Sequence, residues 1–519
     1  MALTKTHNRM IEGSSVNIVD FGAVGDGSTD DTLAIQAAIN YANGENEVVI
    51  PSGTFIFTEI INKGILRGMG GTLKLKDNTC IDASVFYYLI HNFNSGTHTT
   101  SYSNCQYIDL IIDGNSANNT LFTVADTITA SGENIVVSGC DIKNSPDSGI
   151  MFTFPEQGLC SNNRVNGCRD VGIYINDNET ASDNFAAMTI DNILMNCGLG
   201  GIAIKRSLRG HKVSGNYIYS CGNGITHEFF GTGLGGWPQE CTISDNYIFS
   251  CGYPQRAFSP VETGIYLGKF DNGFCVNNFI YDCSGIGIRS DGANYVIANN
   301  KVNSSSLVNA SPTALNNRGI VVENRAGFSD STCVINDNDV QGFRDFALSI
   351  SSGKITINGG KYQSTDNGLN VASSSDKVYI NDSYFKATSG TDYGVLLSAL
   401  ASNIVLNNVV SDGEGGGSGF AYGNTIGATY FYKNCVDLVS GIYDMKLSSG
   451  MPKSINSGTL AITGASSAVI THGLRLGPNR FSIVPATNSY WWVSAINSTT
   501  FTINTASSGN YTVYWEAEV

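Results

Sequence analysis

Residues 192–205, NILMNCGLGGIAIK, hold the pattern that decides the fold. Reading outward from them, an Asn followed two residues later by an aliphatic recurs at Asn163, Asn192, Asn216, Asn246, Asn278, Asn300 and Asn338. Most of these repeats go on to Gly-Ile-x-aliphatic, at Gly172, Gly201, Gly224, Gly264, Gly285 and Gly319. Cys168, Cys197, Cys221, Cys251 and Cys283 stand between the two motifs. Successive Asn positions are 22 to 38 residues apart, the period of a solenoid. Short runs of alternating apolar residues favour β coils over helical repeats. Stacked coils bring equivalent residues to about 4.8 Å, the inter-strand spacing. The spacing therefore predicts an Asn ladder and a Cys ladder, both mainly structural.

The composition agrees with an all-β chain of many tight turns. Charged residues are 14% of the 519, against 59 Gly and 10 Pro, and 42% hydrophobic content suffices for a core. A net charge of −15 argues against nucleic acid, since phosphate binding wants a basic face. The 13 cysteines follow the repeat instead of forming close pairs, so they read as buried free thiols. With no CxxC pair and no His-rich cluster, neither a structural zinc nor a cofactor is expected. No run of 18 apolar residues occurs, so no membrane insertion is expected.

The entry to the repeats differs from them. VNIVDFGAVGDGSTDD, from Val16, leads into TLAIQAAINYA, where Ile35, Ala38, Ile39 and Ala42 share one helical face. Ser28 and Asp31 have capping-box spacing, which places the helix start there. EVVIPSGTFIF then reads as two strands around a Pro-Ser-Gly turn. Such a helix can cover the open end of a solenoid. The run Val16 to Phe57, above all DFGAVGDGSTDDT, resembles the pectate-lyase-like entry segment of many phage tailspikes and polygalacturonase-like proteins. The resemblance implies a right-handed parallel β-helix, frequently trimeric, that acts on polysaccharide. It transfers no catalytic residue. Enzymes of this kind often use calcium, yet no dedicated calcium loop stands out, and IIDGNSANN around Asp113 reads as an ordinary turn.

The expected organisation is a short anchor tail at 1–14, a cap at 15–60, the β-helix at 61–447 and a C-terminal β-sandwich at 448–519. The sandwich rests on alternating stretches such as FSIVPA, YWWVSAI and YTVYWEAEV. It would serve trimerisation or glycan binding, with Trp491, Trp492 and Trp515 as core or interface residues. The tail would meet a phage tail or adaptor protein. The N-terminus has no apolar signal segment, so the expected location is the virion, after synthesis in the host cytoplasm.

In each Gly-Ile strand the residue after Ile, and the one two further on, point outward. This frame gives an outer column Asn176, Lys205, Glu228, Gly268, Arg289 and Glu323, and an inner one Tyr174, Ala203, Thr226, Tyr266, Gly287 and Val321. Insertions at 252–263, 304–318 and after His227 would wall this face into a groove, with Trp237, Phe229, Phe230 and Phe258 offering apolar surfaces. Glycoside hydrolysis needs two carboxylates. Glu228 is the expected acid, with Asp291 or Glu323 as its partner. Three coils, about 14 Å, separate Glu228 from Glu323, and Asp291 is one coil nearer. Lys205, Arg289, Tyr266, His227, Trp237 and Glu262 are the expected substrate contacts. Lys205 and Arg289 beside Glu228 would lower its pKa, which suits an acid poorly. That tension keeps β-elimination open, with Lys205, Arg289, His227 or Tyr266 as base, as well as a non-catalytic adhesin.

Overall fold

The computed structural model describes residues 13–518 except 94–100, 177–186, 206–209, 229–239, 253–262, 269–270, 292, 306–316, 324–331, 390–391, 398–403, 414–419, 423–429, 434, 439–454, 472–477, 479, 486–490 and 498–499. The chain divides into two compact units. One runs to Ile350 and includes Gly360–Thr365; the other comprises Ser351–Gly359 and everything from Asp366.

The first unit is a right-handed parallel β-helix. One coil consists of Gly200–Lys205, Lys212–Ser214 and Tyr217–Tyr219, after which Asn223–Glu228 begins the next. Each strand pairs in parallel with its equivalent one coil away, so three faces run along the unit: Val171 lies beside Gly200, Met188 beside Lys212, and Ile193 beside Tyr217. The core is a stack of aliphatic rows such as Ile173, Ile202, Ile225, Ile265, Ile288 and Ile320, all fully buried. Burying each such side chain is worth about 1.5–3 kcal/mol.

Both ladders form. Asn163 donates through Nδ2 to Oδ1 of Asn192 at 2.9 Å, and the relation repeats through Asn216, Asn246, Asn278 and Asn300 to Asn338. The same oxygen also takes the backbone N–H of the preceding Asn, as Asn246 does from Asn216 at 3.0 Å. Directly before each ladder Asn the chain takes the left-handed conformation, at Asn162, Asp191, Gly215, Asp245, Asn277, Asn299 and Asp337. Asn, Asp and Gly reach that region most cheaply, which is why the sequence is rich in them. At the other corner the cysteines stack coil on coil: the N–H groups of Gly198, Gly222, Gly252 and Ser284, each one residue after a row cysteine, donate to the carbonyls of Cys168, Cys197, Cys221 and Cys251. All 13 cysteines are buried and free. Burial pushes thiols such as Cys283 and Cys333 up to about 12.

The cap is a helix over Thr32–Ala42 that buries Ile35, Ala38, Ile39 and Ala42. The Ser28–Asp31 box does not form. Ser28 lies in the strand Asp26–Asp30, and the Asp31 carboxylate instead accepts the N–H groups of Val24 and Gly25 at 2.6 and 3.2 Å. Strands Val48–Ile50 and Gly53–Phe57 flank the expected turn.

In the second unit, strands between Asn367 and Asp437 stack in parallel, for example Val378 on Ile404 and Tyr384 on Val410. The C-terminal part is the one expected to be a β-sandwich. Its described residues form one antiparallel sheet of Ile455–Thr471, Arg480–Pro485, Trp491–Ser494 and Thr500–Glu518. The register of the long hairpin shifts twice between Ile462 and Ser467. Phe501 and Trp515 belong to one strand, yet their rings are 5.4 Å apart. Fourteen residues of straight strand would span roughly 46 Å, so the sheet folds over its own core of Ile470, Phe501, Ile503, Val513 and Ala517. Trp515 belongs to this core, whereas Trp492 is exposed.

Candidate functional site

The Gly-Ile face carries two groups of ionisable side chains. Its register differs from the expected one at a single coil. Tyr266 lies beside Arg289, and Arg289 beside Val321, so the inner outward column reads Tyr174, Ala203, Thr226, Tyr266, Arg289, Val321. The tandem Gly-Ile-Gly-Ile at 285–288 permits two frames that both keep Ile inside. The structure uses Gly287: a Cβ at Gly264 would meet the Gly287 carbonyl at 2.6 Å, and one at Gly287 the Gly319 carbonyl at 2.7 Å. Gly268, Asp291 and Glu323 follow one residue past this register, each donating its N–H to the coil before.

This shift brings Tyr266, Arg289, Asp291 and Glu323 together. Arg289 Nε donates to Asp291 Oδ1 at 2.8 Å, and its Nη2 reaches Asp291 Oδ2 at 3.3 Å and Glu323 Oε2 at 2.8 Å. The Tyr266 hydroxyl donates to Asp291 Oδ2 at 2.8 Å, and the guanidinium carbon stands 5.6 Å from the Tyr266 ring centre. The Asp291 side chain is 0% exposed, Glu323 34%. Asp291 thus has both oxygens engaged, while Glu323 faces solvent.

Lys205 lies beside Glu228 in the backbone register, and its ammonium sits 4.8 Å from the Tyr174 ring centre. The Glu228 side chain lies outside the described residues, as do Trp237, Glu262, Phe229, Phe230 and Phe258. His227 does not reach the outer face. It occupies the inward row between Ile204 and Leu267, where most coils carry an apolar residue, and is 1% exposed. Burial and then the neighbouring His211 hold its imidazole neutral, well below its usual pKa.

The second group was not among the expected residues. Asp147 and Asp170 occupy equivalent positions one coil apart, with Asp170 N–H donating to the Asp147 carbonyl at 3.2 Å. Asp126 adjoins them: its Oδ1 accepts from Ser148 N–H at 3.2 Å, and Asp147 Oδ2 accepts from Ala125 N–H at 3.3 Å. Asp126 is 1% exposed, and its Oδ2 has no hydrogen-bond partner among the described residues. Burial, then the charge of Asp147, push Asp126 well above the carboxylate range. Burial and then Asp170 push Asp147 up to about 6, against the Ala125 N–H and the charges of Arg169 and Lys205. Burial also raises Asp170, opposed by Lys205 and Arg169. A signal for this pair exists: both stand two residues before the strand glycine, in Asp147-Ser-Gly-Ile and Asp170-Val-Gly-Ile. Among the described residues no three His, Cys, Asp or Glu side chains converge as a cation would require. Asp113 instead braces a turn, accepting from Asn115 N–H at 3.0 Å and Asn144 Nδ2 at 3.1 Å. No described helix is long and apolar enough to cross a membrane.

The class defined by these features is a right-handed parallel β-helix with an ionisable outer face. Residues 15–226 match the family of rhamnogalacturonase A/epimerase, pectate lyase-like, a region that contains Asp126, Asp147 and Asp170. Among solved structures, the chain is similar to the A-module of an Azotobacter vinelandii mannuronan C-5 epimerase, at 15% identity over 81% of this chain and 98% of that one, with a TM-score of 0.47. It is also similar to the Dettilon tailspike protein, at 12% identity over 97% and 94%, TM-score 0.46. The tailspike protein of Pseudomonas phage LKA1 matches at 11% identity over 97% and 100%, TM-score 0.46.

Proposed function

We propose that this chain is a bacteriophage tailspike depolymerase, an endo-acting glycoside hydrolase that cuts a bacterial capsule or O-antigen. The observation that carries this reading is the pair Asp147 and Asp170. Hydrolysis requires a carboxyl that still holds its proton near working pH beside a second carboxylate. Asp147, pushed up to about 6, meets the first need. Asp170, one coil on and about 4.8 Å away at the backbone, meets the second. Asp126, held neutral beside them, adds no further charge. The pectate-lyase-like match spans these residues.

In this reading Asp147 protonates the leaving oxygen, and Asp170 acts as base or nucleophile. Lys205 on Tyr174 orients the sugar. Further along the face, Glu228, Glu323 and the Arg289 clamp hold the chain of sugars, and Asp291 fixes Arg289. Trp237 and Glu262 are proposed as further substrate contacts. Two features favour hydrolysis over β-elimination: His227 is turned into the core, and the Tyr266 hydroxyl already donates to Asp291. Assembly as a homotrimer on a virion, attached through the N-terminus to the phage tail or an adaptor, belongs to the same proposal.

The test is mass spectrometry of fragments after incubation with purified capsules and O-antigens. Repeat-unit fragments with one added water are expected, and Asp147→Asn should abolish them while polymer binding persists. Fragments lacking that water and absorbing in the ultraviolet would establish a lyase. Unchanged cleavage by Asp147→Asn would remove the assigned acid.

A further inference from the structure

Beside the paired aspartates one exposed cation is held in place without a counter-ion. Arg169 directly precedes Asp170, and its guanidinium reaches two coils back. There Nη1 donates to the Thr120 carbonyl at 3.2 Å, and the guanidinium carbon stands 5.3 Å from the Phe122 ring centre. The coil that it crosses is the one that carries Asp147, for the Arg169 N–H donates to the Ser145 carbonyl and the Asp170 N–H to that of Asp147. Phe122 in turn lies three residues before Ala125, whose N–H donates to Asp147 Oδ2. The charge of Arg169 therefore acts on both Asp147 and Asp170. Yet no carboxylate of the described residues lies within ion-pair distance of it, and its Nε and Nη2 donate to none of them. Apolar side chains stand open around the same ring. Leu121 lies beside Ile81, and Val124 beside Phe86; Leu121, Ile81 and Phe86 are 52%, 61% and 54% exposed.

We propose that Arg169 and Leu121 form a subsite for a sugar substituent that joins a carboxylate to a methyl group, as a pyruvate ketal or a lactate ether does. The sugar bearing it is the one bound beside Asp147 and Asp170. Nε and Nη2 form the side of the guanidinium that takes a carboxylate through two parallel bonds. The Thr120 carbonyl and the Phe122 ring already fix that side chain, so little rotamer freedom remains to be lost on binding. The charges favour an anion too. In the assigned roles Asp126 and Asp147 keep their protons, which leaves Asp170, of these three, set against Arg169 and Lys205. The apolar rim selects among anions. A plain uronate would satisfy Arg169 but set hydroxyls against Leu121 and Ile81, whereas a methyl group beside the carboxylate covers them and gains from leaving water. This deepens the hydrolase reading and rests on it for the place of the sugar, but its test needs no cleavage.

The experiment is titration of the full chain, followed by saturation-transfer NMR, with four methyl galactosides. They carry a pyruvate ketal, a lactate ether, an ethylidene ketal with the methyl alone, and the uronate carboxylate alone. One of the first two should bind more tightly than both of the last two, with the strongest saturation on its substituent methyl; whichever does identifies the ketal or the ether as the source. Arg169→Gln should weaken that ligand about tenfold or more, the equivalent of one charge-assisted hydrogen bond. Leu121→Asn should erase its advantage over the uronate. Equal binding of all four, no binding of either joined substituent, or unchanged affinity in a folded Arg169→Gln overturns the proposal. Should the variants misfold, the ranking and the saturation pattern of the wild type decide. Cleavage by Asp147→Asn separates the two readings. If that variant still cuts polymer while Arg169 governs binding, the acid assignment fails and the subsite stands; if cutting depends on Asp147 and neither joined substituent binds, the subsite alone fails.

Discussion

Asp147 and Asp170 share a face, a neighbouring cation and a raised pKa, so in the proposed reading their protonation governs turnover together. As acid, Asp147 works while protonated, so cleavage should fall as pH rises through about 6. Asp170 works deprotonated, so the acid limb should lie above the usual carboxylate range, since burial raises it. A bell with its maximum below neutrality is expected in initial-rate measurements, and Lys205→Met should move the alkaline limb upward by removing a charge that lowers Asp147. A maximum above pH 8 would be incompatible with these roles. At Arg289 the chemistry is different. Removing this guanidinium leaves Asp291 wholly buried without its cation, and breaking a buried ion pair typically costs about 3–5 kcal/mol. Arg289→Ala should therefore lower the denaturant midpoint markedly, whereas Arg289→Lys should recover only part, because an ammonium cannot span Asp291 and Glu323 as a fork does.

At the scale of the coil, the Asn ladder ties each turn to the next. Asn246 donates to Asn278 Oδ1 at 2.9 Å and to the Val213 carbonyl at 3.1 Å, and accepts from Asn216. Asn246→Ala leaves several fully buried groups unpaired at about 1–3 kcal/mol each, and urea unfolding should register a loss of that order or more. A loss under 1 kcal/mol would mean that water replaces the amide. These ladders were legible from Asn192-x-Leu194 and Cys197 alone, because stacked coils repeat residue type at fixed positions. The helix face at Ile35 and Ile39 was legible for the same reason. The frame at Gly285–Ile288 was not, since both frames bury isoleucine and only the close carbonyl contacts of the glycine row distinguish them. Nor was Asp147, whose partner is adjacent through stacking and 23 residues away in sequence. The C-terminal strands were legible from their alternation, but how they fold over one another was not, because a bend in one long hairpin leaves the same trace as a second sheet.

For the molecule as a whole, the buried histidines and the carboxylates respond oppositely to pH. Burial lowers His211 to about 3, and His227 well below 6.5. A base depressed in the folded state contributes stability that is complete above about 6.5, its unfolded value, and is lost as pH falls toward 3. Raised Asp147 acts the other way between about 4 and 6. The pair of wild type and His211→Leu isolates the first effect: the wild type should gain in melting temperature relative to the variant from pH 4 to 6.5, then level off. A constant difference across that range would show that His211 does not titrate on unfolding.

The sealed row from Cys168 to Cys283 offers a built-in clock. A thiol inside a closed coil meets an alkylating reagent only when that coil opens, so modification rates measured cysteine by cysteine would time the opening along the stack. The same thirteen sulfhydryls set a condition on handling the chain: once unfolded in air they can cross-link at random, and a coil stapled to the wrong neighbour cannot return to its place. Renaturation should therefore succeed in the presence of reductant and fail without it.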